Sequence, residues 1–280
     1  MRTTSTQAAT TSWTSRPSCA DVTTTGDLLR VTLGPGIDAA FTGAVLDGVH
    51  DANLAHHRPH VPERLTAARD RVAALTRTEA DAWHLMRQVH GAEVAVVDGR
   101  VPRGAELRDV DILVTTLPDR PLVVLAADCV PLLAAGRRSV AAAHAGWRGV
   151  VADVPGALVT ALVGLGESPD DVRVVLGPAI GPCCYEVGPE VVAAVGAIDP
   201  AAVATTRTGG ASVDLRAALR ARLAALGVTD VVDAGASGAA PRTPLCTACD
   251  PGWFSHRRDP AAGRQAGMIV RRSGATGGSA

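Results

Sequence analysis

The chain contains no lysine; all 27 of its basic residues are arginine. That absence excludes a Schiff-base lysine and the lysine of a triphosphate-binding loop. Aromatic residues make up only 2% of a chain that is 47% hydrophobic, so its core must be built from Ala, Val and Leu. Charge is nearly balanced, with a formal net charge of −1, which argues against a nucleic-acid or anionic-membrane partner. No apolar run approaches the ~20 residues that span a bilayer. The N-terminal stretch MRTTSTQAATTSWTSRPSCADVTTT has no apolar segment of the secretory kind. Six cysteines in 280 residues are too few for a disulfide scaffold and point to reactive or metal-binding roles in a reducing compartment. The expectation is a soluble, cytoplasmic protein with no membrane partner.

There is also no internal repeat, and no Gly/Ser-rich linker interrupts residues 26–272. This predicts one domain, flanked by a Thr/Ser-rich disordered tail over 1–25, which holds Trp13 and Cys19, and a flexible tail over 273–280. Short apolar runs bounded by turn residues predict strands at 28–33, 39–46, 111–114, 122–127, 131–135, 139–143, 172–176, 228–232 and 266–270. Helices are predicted over 62–77, 146–165 with a break at Pro155, 188–195 and 214–226, with Asp214 as N-cap and Gly227 as stop. Strands come in pairs as well as alternating with helices, so the fold class is α+β rather than doubly wound.

The stretch PLVVLAADCVPLLAAGRRSVAAAHAGWRG, residues 121–149, concentrates the chemistry. Two apolar strands end at Asp128-Cys129 and at His144, and neighbouring strands ending together would set Cys129 beside His144. His90, in QVHG, follows another short strand. Three N/S donors with an open position make a catalytic zinc site, in which the sulfur binds as thiolate. Spacing alone leaves two other readings open: a metal-free pair with Cys129 as nucleophile and His144 as base, and an ordinary buried cysteine with satisfied histidines. Arg148, Arg257 and Arg258 fall in turn-rich loops and can fork onto phosphate or carboxylate. Cys246-x-x-Cys249 has no second CxxC to complete a structural zinc site. With the vicinal Cys183-Cys184 it is read as packing. His50, His56, His57 and His60, in HDANLAHHRPH, have no regular spacing and are read as a solvated loop.

QVHG (88–91), ADCVPLL (127–133), HAGWRG (144–149), LGPAIGPCCYEVG (176–188), CTACDP (246–251), FSHRRD (254–259) and GRQAG (263–267) occur in this order. Together they resemble the YfiH or laccase-domain family, also described as multicopper polyphenol oxidase-like and as peptidoglycan editing factor. The resemblance covers residues 83–271. It implies a single α+β domain with mixed sheets packed against helices, and monomers or homodimers. It implies a purine nucleoside phosphorylase that also deaminates adenosine and cleaves methylthioadenosine, with purine nucleosides and phosphate as substrates. It implies His90, Cys129 and His144 as ligands of Zn2+, or alternatively Cu2+. The family's Arg-x-Gly-Gly-Val-Ser loop is not matched: Phe41-Thr42 continues as GAVLDGVHDANL, in which only Asn53-Leu54 matches.

On that reading phosphate attacks C1′ of the ribose, with Gln88, Arg148 and Arg258 binding substrate or phosphate. Asp128 carries a proton or orients the neighbouring ligand. In deamination, water activated by the metal attacks C6 of adenine. A copper-dependent phenol oxidase is the second reading, weakened by 8 histidines with no His-x-His pair. A housekeeping factor acting on cell-wall precursors is the third.

Overall fold

The computed structural model describes residues 22–25, 28–47, 49–234 and 245–274. The predicted tail residues 1–21, with Trp13 and Cys19, and residues 275–280 lie outside these. Val22–Thr25, assigned above to the N-terminal tail, instead forms a strand antiparallel to Leu28–Thr32. Its Val-Thr-Thr-Thr run is β-branched throughout, which favours a strand despite the low complexity around it.

Two sheets carry the fold. The five-stranded sheet runs in the order Val22–Thr25, Leu28–Thr32, Ile37–Thr42, Gln265–Arg271, Leu122–Ala126, all antiparallel. The six-stranded sheet runs Asp230–Asp233, Arg173–Leu176, Val130–Ala135, Val140–Ala145, Ile112–Thr115, Val94–Val96. It is antiparallel in the middle and parallel at both edges. The mixed sheets and helices are those expected of an α+β domain.

The central strands are buried on both faces, which is why they read as unbroken apolar runs rather than alternating ones. Alternate side chains still serve different layers. Leu122 and Val124 join Leu133, Val140, Ala142 and Phe41 in a core between the sheets. Val123 and Leu125 pack on the other face with Leu54, Val72 and Trp83, under helix Pro62–Thr76. On the six-stranded sheet, Leu132, Ala134, Ala141 and Ala143 meet Leu158, Leu162, Leu219 and Leu223 from helices Val154–Gly164 and Leu215–Ala225. The order of layers is helix, sheet, sheet, helix. Small Ala side chains let the helices approach closely, so the core closes with few aromatics.

The helix predicted over 146–165 is two helices, Trp147–Val151 and Val154–Gly164. Asp153 breaks it in the left-handed region, φ 65°, and its carboxylate accepts from Gly156 N–H. Pro155 then sits in the first turn, where its missing N–H does no harm. Asp214 caps the Leu215–Ala225 helix as predicted, accepting from Arg216 and Ala217 N–H.

Leu133 is fully buried between the sheets. Leu133→Ala should therefore destabilise the protein by about 2–5 kcal/mol in chemical denaturation; a loss below about 1 kcal/mol would contradict this packing.

Candidate metal centre and active site

Cys129 and His144 meet by a route other than the one the sequence suggests. The 122–126 strand lies in one sheet and Val140–Ala145 in the other. Asp128 and Cys129 lie where the chain crosses between sheets, with Asp128 at φ 114°. Cys129 immediately precedes the Val130–Ala135 strand, which pairs antiparallel with Val140–Ala145 and sets Pro131 opposite His144. The hairpin register, not the shared end of two neighbouring strands, carries the sulfur to the imidazole.

His90 arrives from a third direction, on the turn after Leu85–Arg87, with φ 63°. Its ring stands nearly edge-on to that of His144, with centroids 4.9 Å apart. One ligand atom from each of His90, Cys129 and His144 lies within 4.8 Å of the others. The predicted trio is thus assembled.

The group that assembles it is Asp111, which the sequence reading took only as the start of a strand. Its side chain is fully buried, and Oδ1 lies 2.8 Å from His144 Nδ1. The same carboxylate accepts from the backbone N–H groups of Val89 (3.0 Å), His90 (3.1 Å) and Gly91 (2.8 Å). One carboxylate therefore fixes the ring of one ligand and the backbone turn of another, leaving His144 Nε2 as its free donor. A carboxylate behind a histidine ligand is the usual second layer of a metal site.

Charges in the trio are strongly coupled. Burial pushes the Cys129 thiol up. The charge of His144 and hydrogen bonds from His144 and His90 outweigh it and bring the thiol down to about 6. Burial likewise pushes His144 down, but the Cys129 thiolate and Asp111 raise it to about 9. Asp111 is held below its ordinary range: burial opposes ionisation, and the His144 bond and charge with the Gly91 and Val89 N–H groups overcome it. One thiolate and two imidazoles suit zinc or copper and do not suit the oxygen-seeking Mg2+ or Ca2+.

Gly146 completes the cradle. A Cβ there would stand 2.8 Å from Cys129 Sγ and 3.1 Å from His90 Cδ2, so only glycine lets both ligands converge.

The trio opens into a cavity of about 790 Å³, within the range of small-molecule sites. Six arginines line it (Arg58, Arg87, Arg108, Arg148, Arg257, Arg264), against the acidic Glu106 and Asp128. Arg148 is exposed and its guanidinium stacks 4.6 Å over the Trp147 ring. Arg257 lies 5.3 Å over the ring of Tyr185, another lining residue.

The remaining predicted site residues have varied placements. Asp128 faces the cavity, with Oδ1 accepting from Thr247 Oγ1 (2.6 Å) and Oδ2 from Arg257 N–H (2.7 Å). Gln88 also lines it, but its amide is clamped to Leu125, donating to the carbonyl (2.8 Å) and accepting from the N–H (3.0 Å). Arg258 is not among the lining residues; it donates to the carbonyls of Thr247, Ala248, Asp250 and Trp253 and ties up its own loop. Its neighbour Arg257 faces the cavity instead.

Two expectations are corrected. The histidine-rich segment is more than a solvated loop, since His56, His57 and Arg58 line the cavity. It is anchored from within: Asn53 Oδ1 accepts from Arg264 N–H (2.9 Å), and Arg69 donates to the Leu54 carbonyl (2.8 Å). Of His50 only the backbone is described, and His60 Nδ1 meets the Arg58 carbonyl at 2.7 Å. The two cysteine pairs, read separately as packing, converge: Cys183, Cys184, Cys246 and Cys249 bring their sulfurs within 4.8 Å of one another. The vicinal pair, about sixty residues upstream in the sequence, lies beside the CxxC in the fold.

Fold and site thus define a single α+β domain with a His2Cys ligand set, able to hold a metal ion, at the floor of an arginine-rich cavity. The chain belongs to the YfiH-like family whose model is described as multi-copper polyphenol oxidoreductase laccase, which matches residues 40–272. It is 40% identical over 210 residues to purine nucleoside phosphorylase ORF3 of Streptomyces griseus, covering 74% of this chain and 82% of the relative. It is 38% identical over 220 residues to a purine nucleoside phosphorylase of Mycobacterium tuberculosis, covering 78% and 83%. Among solved structures, YfiH of Bacillus licheniformis superposes with a TM-score of 0.78 at 26% identity, covering 89% of this chain and 97% of that one. YlmD of Geobacillus stearothermophilus gives 0.77 at 29% identity, covering 91% and 99%.

Two outcomes follow from this geometry. In metal-stripped protein, alkylation of Cys129 should half-develop near pH 6, because its thiolate predominates above that pH; an inflection near 8.5, the value of a free thiol, would contradict the coupling to His144. Asp111→Asn should weaken metal binding about 10–100-fold in competition with a chromogenic chelator, and Gly146→Ala should weaken it too. Unchanged affinity in both variants would rule out the support assigned to them.

Proposed function

We propose that this chain is a zinc-dependent purine nucleoside phosphorylase that also deaminates adenosine and cleaves methylthioadenosine, in the cytoplasm. The observation that carries the reading is the pairing of a His2Cys ligand set with six arginines around one cavity. Phosphate carries between one and two negative charges near neutral pH, which a cationic wall offsets, and purine nucleosides suit a cavity of this size. The relatives named purine nucleoside phosphorylase support the same substrates.

In this mechanism Arg148 and Arg257 orient phosphate, with fork geometry suited to its oxygens. A phosphate oxygen attacks C1′ as the C1′–N9 bond breaks, and the bonding pair leaves with the purine, which takes up a proton. Asp128 is the proton carrier; each of its oxygens keeps a lone pair beyond the bonds to Thr247 and Arg257. Tyr185 offers a ring face for stacking the base. Gln88 and Arg258 act as positioning residues, the first clamping the turn that bears His90 to Leu125, the second bracing the Arg257 loop. When bound at His90, Cys129 and His144, the metal supplies a Lewis acid for substrate oxygen or nitrogen and can activate water for deamination. These three residues would be held in place by Asp111 and Gly146.

Zinc is favoured over the copper-oxidase reading that the family's description suggests. Multicopper chemistry needs several histidine-rich sites, and among the described residues the candidate ligand groups are this trio and the four cysteines. Copper binds N/S donors more tightly than zinc, so any dye oxidation by copper-exposed protein would reflect adventitious copper.

Zinc-loaded protein should convert inosine and methylthioadenosine to purine base and a sugar 1-phosphate only when phosphate is present, and adenosine to inosine without it, as resolved by chromatography. Cys129→Ala should lose the metal ion of the His2Cys trio and all three activities. Arg148→Ala should raise the KM for phosphate about tenfold or more and leave deamination near wild type. Sugar 1-phosphate release that survives Cys129→Ala would refute the metal-centred mechanism.

A further inference from the structure

Away from the His2Cys trio, the four remaining described cysteines gather where two loops cross. Residues 181–185 turn back on themselves, with Cys184 and Tyr185 N–H both donating to the Gly181 carbonyl. Residues 246–250 make a similar turn, with Cys249 and Asp250 N–H donating to the Cys246 carbonyl. A bridge between Ala179 and Cys246 holds the two turns side by side. Each turn thus presents two sulfurs to the other. Cys249 Sγ lies 3.7 Å from Cys183 Sγ and 3.3 Å from Cys184 Sγ, and all four sulfurs fall within 4.8 Å of one another.

These separations are far from the ~2.05 Å of a disulfide. The 3.3 and 3.7 Å pairs lie just under the ~3.8 Å edge of a tetrahedron with metal–sulfur bonds of about 2.3 Å. Two of the sulfurs meet donors, while burial and the neighbouring sulfurs push the Cys183 and Cys184 thiols up. Gly181 N–H points at Cys246 Sγ (3.2 Å), and the Arg207 guanidinium at Cys249 Sγ (3.4 Å). Four thiolates around a divalent cation leave two net negative charges. A backbone donor and a guanidinium are the groups that offset such charge.

We propose that Cys183, Cys184, Cys246 and Cys249 form a second metal site, a closed tetrathiolate centre for a zinc-class divalent cation. With four protein ligands and no open position it is structural, unlike the three-ligand trio. Its place in the fold gives its purpose. The first loop carries Tyr185, and the second leads to Thr247 and Arg257, which bond Asp128. Arg257 also donates back across the gap to the carbonyls of Cys184 (3.3 Å) and Glu186 (3.0 Å). A cation at the crossing would lock one wall of the cavity in a chain segment poor in regular structure. This inference does not depend on which reaction the cavity performs.

The test is metal content of the full-length protein, purified under reducing conditions without chelator and measured by elemental mass spectrometry. Wild type should hold two zinc ions per chain. Cys129→Ala should hold one, and Cys246→Ser/Cys249→Ser should also hold one. Should the double variant fail to fold, Cys129→Ala alone decides. Loaded with Co2+, it should show strong thiolate-to-cobalt charge transfer and tetrahedral d–d bands, and its four clustered cysteines should resist alkylation until chelator is added. Wild type with one zinc and Cys129→Ala with none would overturn the proposal. So would a mass deficit of two hydrogens per bond that reveals disulfides among these cysteines in the reduced preparation.

Discussion

Everything at the centre of this molecule depends on the Asp111 carboxylate. It is fully buried, and burial of an ionised carboxylate is tolerated only when its oxygens are occupied. Here three backbone N–H groups and the His144 imidazole occupy them. The arrangement has two consequences. The 89–91 turn is pinned in a shape that includes a left-handed histidine, and His144 is pinned in one ring orientation. His90 and His144 are therefore positioned relative to one another by the protein itself. Preorganisation of this kind spares a metal site the cost of ordering its own ligands.

The rest of the fold delivers residues to that point. The crossing from one sheet to the other between Ala126 and Val130 places Asp128 and Cys129 at the junction of the two layers. The all-aliphatic cores on either side hold the sheets at fixed separation. Helices on the outer faces leave the rims of the sheets to loops, and the cavity is built there. In its wall of arginines, two guanidinium groups stack on Trp147 and Tyr185, an arrangement that suits arginine better than lysine. What the solved relatives share with this chain is the fold; the cationic lining and the N/S centre give that fold a chemical meaning here.

Much of this was legible in the sequence, and the exceptions have physical reasons. Strands were legible because doubly buried β-structure is written as short unbroken apolar runs, as in LVVLA and VAAAHA. His90, Cys129 and His144 were legible because each follows such a run at a turn. Asp111 was not: an aspartate before ILVT reads as the first residue of a strand, and only its distance to His144 reveals its second role. Between Arg257 and Arg258 the sequence offers no choice, since adjacent side chains on an irregular loop point in different directions. The same holds for the loop of His56, His57 and Arg58, whose anchoring through Asn53, Arg69 and Arg264 is tertiary. The meeting of Cys183-Cys184 with Cys246 and Cys249 is long-range, and neither spacing foretells it.

The central claim is that His90, Cys129 and His144 hold one metal ion at the floor of the arginine-lined cavity. Anomalous diffraction recorded across the zinc edge from crystals of the zinc-loaded protein tests it most directly. The account predicts a peak about 2.0–2.3 Å from a nitrogen of each histidine and from Cys129 Sγ, with Asp111 still bonded to His144 Nδ1. A trio without such a peak, or zinc held instead by His56 and His57 at the cavity mouth, would contradict it.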